Sequence, residues 1–114
     1  MKIKTSELSG NALDYAVALC EDARVNKASY HTDWLINADR NFMAYAPSSD
    51  WSQGGPIIDR EKINIKYDNY MWGGDHPSAV FYEYAKTPLI AAMCCYVASK
   101  IGDCVDIPDS LINN

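Results

Sequence analysis

Positive charge is scarce in this chain. Lys and Arg total 10 against 15 for Asp and Glu, a formal net charge of −5. Gripping DNA or RNA by phosphate neutralisation needs a surplus of cations, and so does holding an anionic membrane, so neither is expected. Long apolar runs are missing too. The longest, Leu89 to Ala98, has about half the residues a bilayer span needs. Met1 to Leu8 is too short and polar for a signal peptide, which leaves the cytoplasm of the producing cell as the expected location. Histidine occurs twice, as His31 and His76, and neither stands at a zinc-type spacing from Cys20, Cys94, Cys95 or Cys104. With no CxxC either, no metal and no cofactor are expected, and the cysteines read as buried reduced thiols. The phosphate fingerprints GxxxxGK[ST] and GxGxxG and the nucleophile motif GxSxG are absent. Repeats, charge blocks and linkers are absent as well, so residues 1–114 read as one domain.

What is present is an α+β pattern. Met1 to Thr5 alternates Ile3 against Lys2 and Lys4, as an edge strand does. Ser9 to Ala23 predicts a helix capped by Ser9 or Asn11, with Leu13, Ala16, Val17 and Cys20 as its buried stripe and Asp14 near its positive end. Arg24 to Asp39 reads as a loop with a short strand or turn. Asn41 to Ala46 reads as a short strand, Pro47 to Pro56 as a loop, and Ile57 to Glu61 as resumed structure. Ile63 to Tyr67 alternates as a strand, Asp68 to Ser78 reads as a turn region around Gly73-Gly74, and Ala79 to Ala85 as another strand. Thr87-Pro88 marks a helix start, Thr as N-cap and Pro at the first position, and Gly102 marks its end near Ile101. The apolar arc of that helix is wide, so it is either central to the core or part of a subunit interface. In the tail, Val105, Ile107, Leu111 and Ile112 can tether a stretch rich in aspartate. The expected fold is a small antiparallel sheet with an N-terminal and a C-terminal helix.

Three segments resemble the NinX-like family of small proteins from P22-type and lambdoid phages. They are Lys4-Thr5-Ser6-Glu7-Leu8-Ser9-Gly10 with Ala12 to Val17, then Tyr45 to Glu61, then Thr87 to Met93 continuing through Tyr96 to Lys100 and Gly102-Asp103. The middle one, with Pro47-Ser48-Ser49-Asp50-Trp51-Ser52-Gln53-Gly54-Gly55-Pro56, is the most specific. Two departures stand out. Ala85-Lys86 replaces a frequent Gly-Pro, and Cys94 or Cys95 stands where the family often has a basic residue. The resemblance implies a phage accessory protein acting in the cytoplasm of the infected bacterial host. It implies no known reaction.

The residues themselves point to Ser48 to Arg60 as the candidate site. Ser48, Ser49, Asp50, Ser52 and Gln53 supply polar groups, and Trp51 a stacking face and an indole donor. Gly54 and Gly55 permit close backbone approach, and Arg60 can clamp a phosphate or carboxylate. Trp34 and Trp72, like Tyr30, Tyr67 and Tyr70, lie in polar, turn-rich stretches that line a pocket or cap a core. The alternative for the loop is a plain turn, with Trp51 plugging the core and Asp50 capping Ile57 to Glu61. His76, before Pro77, reads as a solvated turn residue, whereas His31 could meet Asp33 or Asp50.

The leading expectation is therefore a non-catalytic homo-oligomer that sequesters a small anionic, nucleotide-like ligand, a sponge for host defence signals. Two subunits would enclose the ligand and bury the wide helical arc. The second is an acidic protein-binding module acting on a host or phage protein of DNA metabolism or defence. The third is a small nucleotide hydrolase using Asp50, His31 and Arg60. Direct action on DNA ranks last.

Overall fold

The computed structural model describes residues 1–21, 35–36, 42–43, 45–78 and 82–111. Trp34, Tyr30, His31, Asp33, Val80, Phe81 and Ile112 lie outside the described residues, as does most of the stretch read as a loop between Arg24 and Asp39. The elements run β1 (Lys2–Lys4), a 3-10 turn (Thr5–Glu7), α1 (Gly10–Glu21), β2 (Leu35–Ile36), β3 (Phe42–Met43), α2 (Trp51–Glu61), β4 (Asn64–Asp68), β5 (Met71–Asp75), β6 (Tyr82–Ala85), α3 (Pro88–Lys100), β7 (Cys104–Asp106) and a 3-10 turn (Asp109–Leu111). The class is α+β, as the periodicity predicts, with three helices among the described residues rather than two. All pairings are antiparallel: β1 with β7, β2 with β3, and a three-stranded sheet in the order β4-β5-β6.

α3 is the centre of the molecule. Thr87 caps it, its hydroxyl oxygen accepting the Ile90 amide at 3.1 Å, and Pro88 opens the first turn. Every residue from Ala91 to Ala98 is buried, so the wide apolar arc is consumed within one chain. α1 meets this core with Leu13, Ala16 and Val17, while Cys20 is only half-buried. Burial pushes the Cys20, Cys94 and Cys95 thiols up to about 12, which makes them poor nucleophiles. Cys104 departs from the buried-thiol expectation and is exposed, on the outer side of β7.

Two stretches read as turns are regular elements. The first is α2, which begins at Trp51 and runs straight through Gly54-Gly55-Pro56. Glycine and proline disfavour a helix interior, so local propensity opposes this element and packing decides it. Gly54 lies against the Pro47 carbonyl and the Leu89 side chain, with no room for even a methyl group. The helix ends at Lys62, in the left-handed region at φ 59°, and the Lys62 and Ile63 amides both converge on the Ile58 carbonyl.

The second is β5, the central strand of the sheet, which contains Gly73 and Gly74. Gly74 presses on α3, and a Cβ there would stand 2.7 Å from the Ala91 carbonyl oxygen. A side chain would hold sheet and helix apart. β4 and β5 are joined by Asn69 and Tyr70, both at positive φ (51° and 66°). That is a two-residue turn of the mirror-image type that matches strand twist. Of the strand predicted from Asn41 to Ala46, Phe42–Met43 is formed, and from Tyr45 the chain turns into the cap of α2.

Candidate functional site

Several polar groups of the Ser48 to Arg60 stretch help to build it. Asp50 caps α2, its carboxylate accepting from the Ser52 amide at 2.9 Å and the Ser52 hydroxyl at 2.7 Å, and these bonds hold its pKa below the usual carboxylate value. Gln53 accepts the Ala46 amide at 2.8 Å and donates to Asp50 at 3.3 Å. Ser48 is buried, and its amide donates at 2.9 Å to Asp14, a buried carboxylate of α1. Ser49 is exposed, its amide turned back to the Ala46 carbonyl. The close approach that Gly54 permits is to Pro47 and Leu89, and that interior is therefore not ligand space.

Trp51 does not plug the core: it is 54% exposed. Its ring lies back toward Gly55, where a Cβ would be 4.0 Å from the indole. Arg60 stands at the other end of α2 within the chain. Nine helical positions separate them, about 14 Å along the axis and roughly half a turn around it. Arg60 instead grips Glu21 with two hydrogen bonds of 3.1 and 2.7 Å, donates from Nε to Glu61 at 3.0 Å, and stands 5.7 Å from the Tyr96 ring centre. Tyr96 completes the cluster by donating to Glu21 at 2.6 Å. Those carboxylates raise the Arg60 pKa still further above its ordinary value, with the bond to Glu21 as the largest cause.

His76 is 7% exposed, not solvated. Its Nδ1 accepts the Ser78 amide at 3.0 Å, with the Ser78 hydroxyl at the same distance, and its Nε2 meets Glu61 at 2.9 Å. The ring thus fastens the end of β5 to the end of α2. Bonds from His76 and Arg60 hold the Glu61 carboxyl below its usual range. Nothing in the sequence signals this cluster, because Glu21, Glu61 and His76 are far apart along the chain.

Among the described residues, exposed aromatic surface gathers at the end of the β4–β5 hairpin. Tyr67 and Trp72 face each other across the strands with ring centres 5.1 Å apart and planes tilted by 58°. Tyr67 is 55% exposed and Trp72 partly buried. Tyr70, at the tip, is 92% exposed, and Met71 beside it is also exposed. Of the predicted aromatics, the structure therefore gathers Tyr67, Tyr70 and Trp72 on one hairpin. Trp51 sits elsewhere, at the start of α2. A cavity of about 230 Å³ lies at the other end of the chain's path, between Ile3, Leu8 and Leu111 and the start of α1. It shares no residue with these aromatics. Among the described residues, no group of His, Cys, Asp and Glu could hold a metal ion, and no helix is long and apolar enough to cross a membrane.

Fold and surface together define a small α+β protein with α3 buried at its centre and an aromatic hairpin turned outward. The family model described as "Bacteriophage P22, NinX" matches residues 4–100, from the end of β1 to the end of α3, and the chain belongs to that phage protein family. No curated protein matches it.

Proposed function

We propose that this NinX-family protein acts stoichiometrically, by docking the aromatic tip of its β4–β5 hairpin onto a host or phage protein. The observation that carries this reading is Tyr70. A bulky residue in the left-handed region is unfavourable, and glycine or asparagine is usual in such turns. Here the strained residue carries a ring that is 92% exposed and packs on nothing extensive. Tyr and Trp dominate the residues that anchor protein interfaces. Asp68, flanking the tip, and the net charge of −5 suit a partner whose binding cleft is rimmed with cations. Tyr70→Gly is the discriminating variant, since it improves the turn while removing the ring. Protein from infected cells should be retained by the parent chain, lost with Tyr70→Gly and weakened by Trp72→Ala. Equal retention by Tyr70→Gly would sink the reading.

Trp51 favours a second reading, in which the exposed indole stacks a flat, nucleotide-like ligand and withdraws a host defence signal from circulation. The indole is 54% exposed, which leaves it open to a ligand. Thermal shift against linear and cyclic nucleotides tests it, followed by recovery of the ligand after denaturation. An intact ligand whose binding is lost in Trp51→Ala supports sequestration. An altered ligand means turnover, and no shift leaves the hairpin reading alone.

A further inference from the structure

Among the described residues β4 is an edge strand: β5 pairs with one side of it, and Asn64, Lys66, Tyr67 and Asp68 are exposed. The turn decides which backbone groups face outward. In a hairpin closed by two residues, the closing pair exchanges both hydrogen bonds, and the pattern alternates from there. Asp68, Lys66 and Asn64, opposite Met71, Gly73 and Asp75, therefore turn N–H and C=O toward β5. Ile65 and Tyr67 turn theirs away. The carbonyl of Ile63 points outward too, while its amide is held by the Ile58 carbonyl at 3.1 Å.

We propose that β4 pairs antiparallel with β4 of a second copy of this chain, about a two-fold axis at Ile65. In this register Ile65 faces Ile65 of the partner subunit, Tyr67 faces Ile63 of the partner subunit, and Asn64 faces Lys66 of the partner subunit. Four backbone hydrogen bonds form. The Ile65 amide donates to the carbonyl of Ile65 of the partner subunit, the Tyr67 amide to that of Ile63 of the partner subunit, and each bond occurs twice. The apolar side chains fall on the face that packs on α3, and the polar ones on the other face. Charge selects this register over its neighbour. Centring the axis on Lys66 would set two ammonium groups directly opposite each other. The product is a continuous six-stranded sheet with an aromatic hairpin tip at each end. It depends on the edge of β4 alone, so it stands or falls separately from the role of Tyr70.

Light scattering on the eluting full-length chain tests the idea, with a mass twice 12.7 kDa expected as concentration rises. Asn64→Lys should strengthen the monomer, where residue 64 faces Asp75, yet place two lysine pairs across the two-fold and weaken dimerisation about tenfold. Adding Lys66→Glu to Asn64→Lys should restore it. A single-chain mass at every concentration overturns the proposal. So does a dimer that Asn64→Lys leaves unchanged or tightens, the latter because residue 64 would then be facing Asp68 in the rejected register.

Discussion

Arg60 and Glu21 meet through two parallel hydrogen bonds, although 39 positions separate them in the chain. The pair ties the last turn of α2 to the last turn of α1, and Tyr96 of α3 donates to the same carboxylate. Arg60→Ala leaves Glu21, a largely buried acid, with the tyrosine as its remaining partner in this cluster. A cost of about 2 kcal/mol is expected, read from the urea midpoint. Arg60→Lys should recover less than half of it, since an ammonium cannot reproduce the planar fork. Loss of stability, rather than loss of a ligand, is the expected consequence at this position.

Gly55 of α2 and Gly74 of β5 should behave oppositely. Gly55→Ala meets nothing nearer than Trp51 and adds a better helix former, so about 0.5–1 kcal/mol of stabilisation is expected. Gly74→Ala drives a methyl group into the Ala91 carbonyl and should destabilise by roughly 2 kcal/mol or more. Thermal unfolding of the two variants side by side checks both signs.

Glu61 and Glu83 should tilt the pH profile in opposite directions. The Glu61 carboxyl is held below its ordinary value by His76 and Arg60. Its contribution is present above the unfolded value and is lost as pH falls through the folded one. Glu61→Gln should therefore destabilise at neutral pH, with the gap closing in acid. Glu83 is 7% exposed, opposite Gly74 in the sheet, and burial raises its pKa. Stability linked to it is fully present below the unfolded value and is lost as pH rises through the folded one. Glu83→Gln should match the parent in acid and exceed it at neutral pH. Urea midpoints across that range decide.

Tyr70→Gly should stabilise the isolated protein by about 1 kcal/mol, because glycine adopts positive φ without steric cost. A melting temperature below that of the parent would mean that the ring packs on the fold rather than serving a partner.

The parts of the fold that sequence makes legible are those whose signals are local. α3 announces itself through Thr87-Pro88 and Gly102, and β4 through the alternation of Ile63, Ile65 and Tyr67. α2 and β5 stay hidden because their glycines and proline speak against regular structure. What overrides them is the seating of Gly54 on Leu89 and of Gly74 on Ala91, contacts that no window of sequence contains. The turn at Asn69-Tyr70 lacks the glycine that would have marked a hairpin, and with it the Tyr67–Trp72 pairing. The internal partners of the candidate-site residues stay hidden for a related reason. The chemistry of Ser48, Asp50, Gln53 and Arg60 is real, but its partners are Asp14, Ser52, Ala46 and Glu21 of the same chain.

Met1 donates from its amino group to the Asp106 carboxylate, 105 positions away, alongside the pairing of β1 with β7. That separation sets an order of events during synthesis. α1, the hairpin and α3 can collapse as they emerge, but β1 must wait, its edge unsatisfied, until β7 leaves the ribosome. At roughly 5–20 residues per second the wait lasts several seconds, long enough to meet other nascent chains. Lys2 and Lys4, exposed on either side of Ile3, charge that waiting strand and so discourage foreign pairing until its own partner arrives.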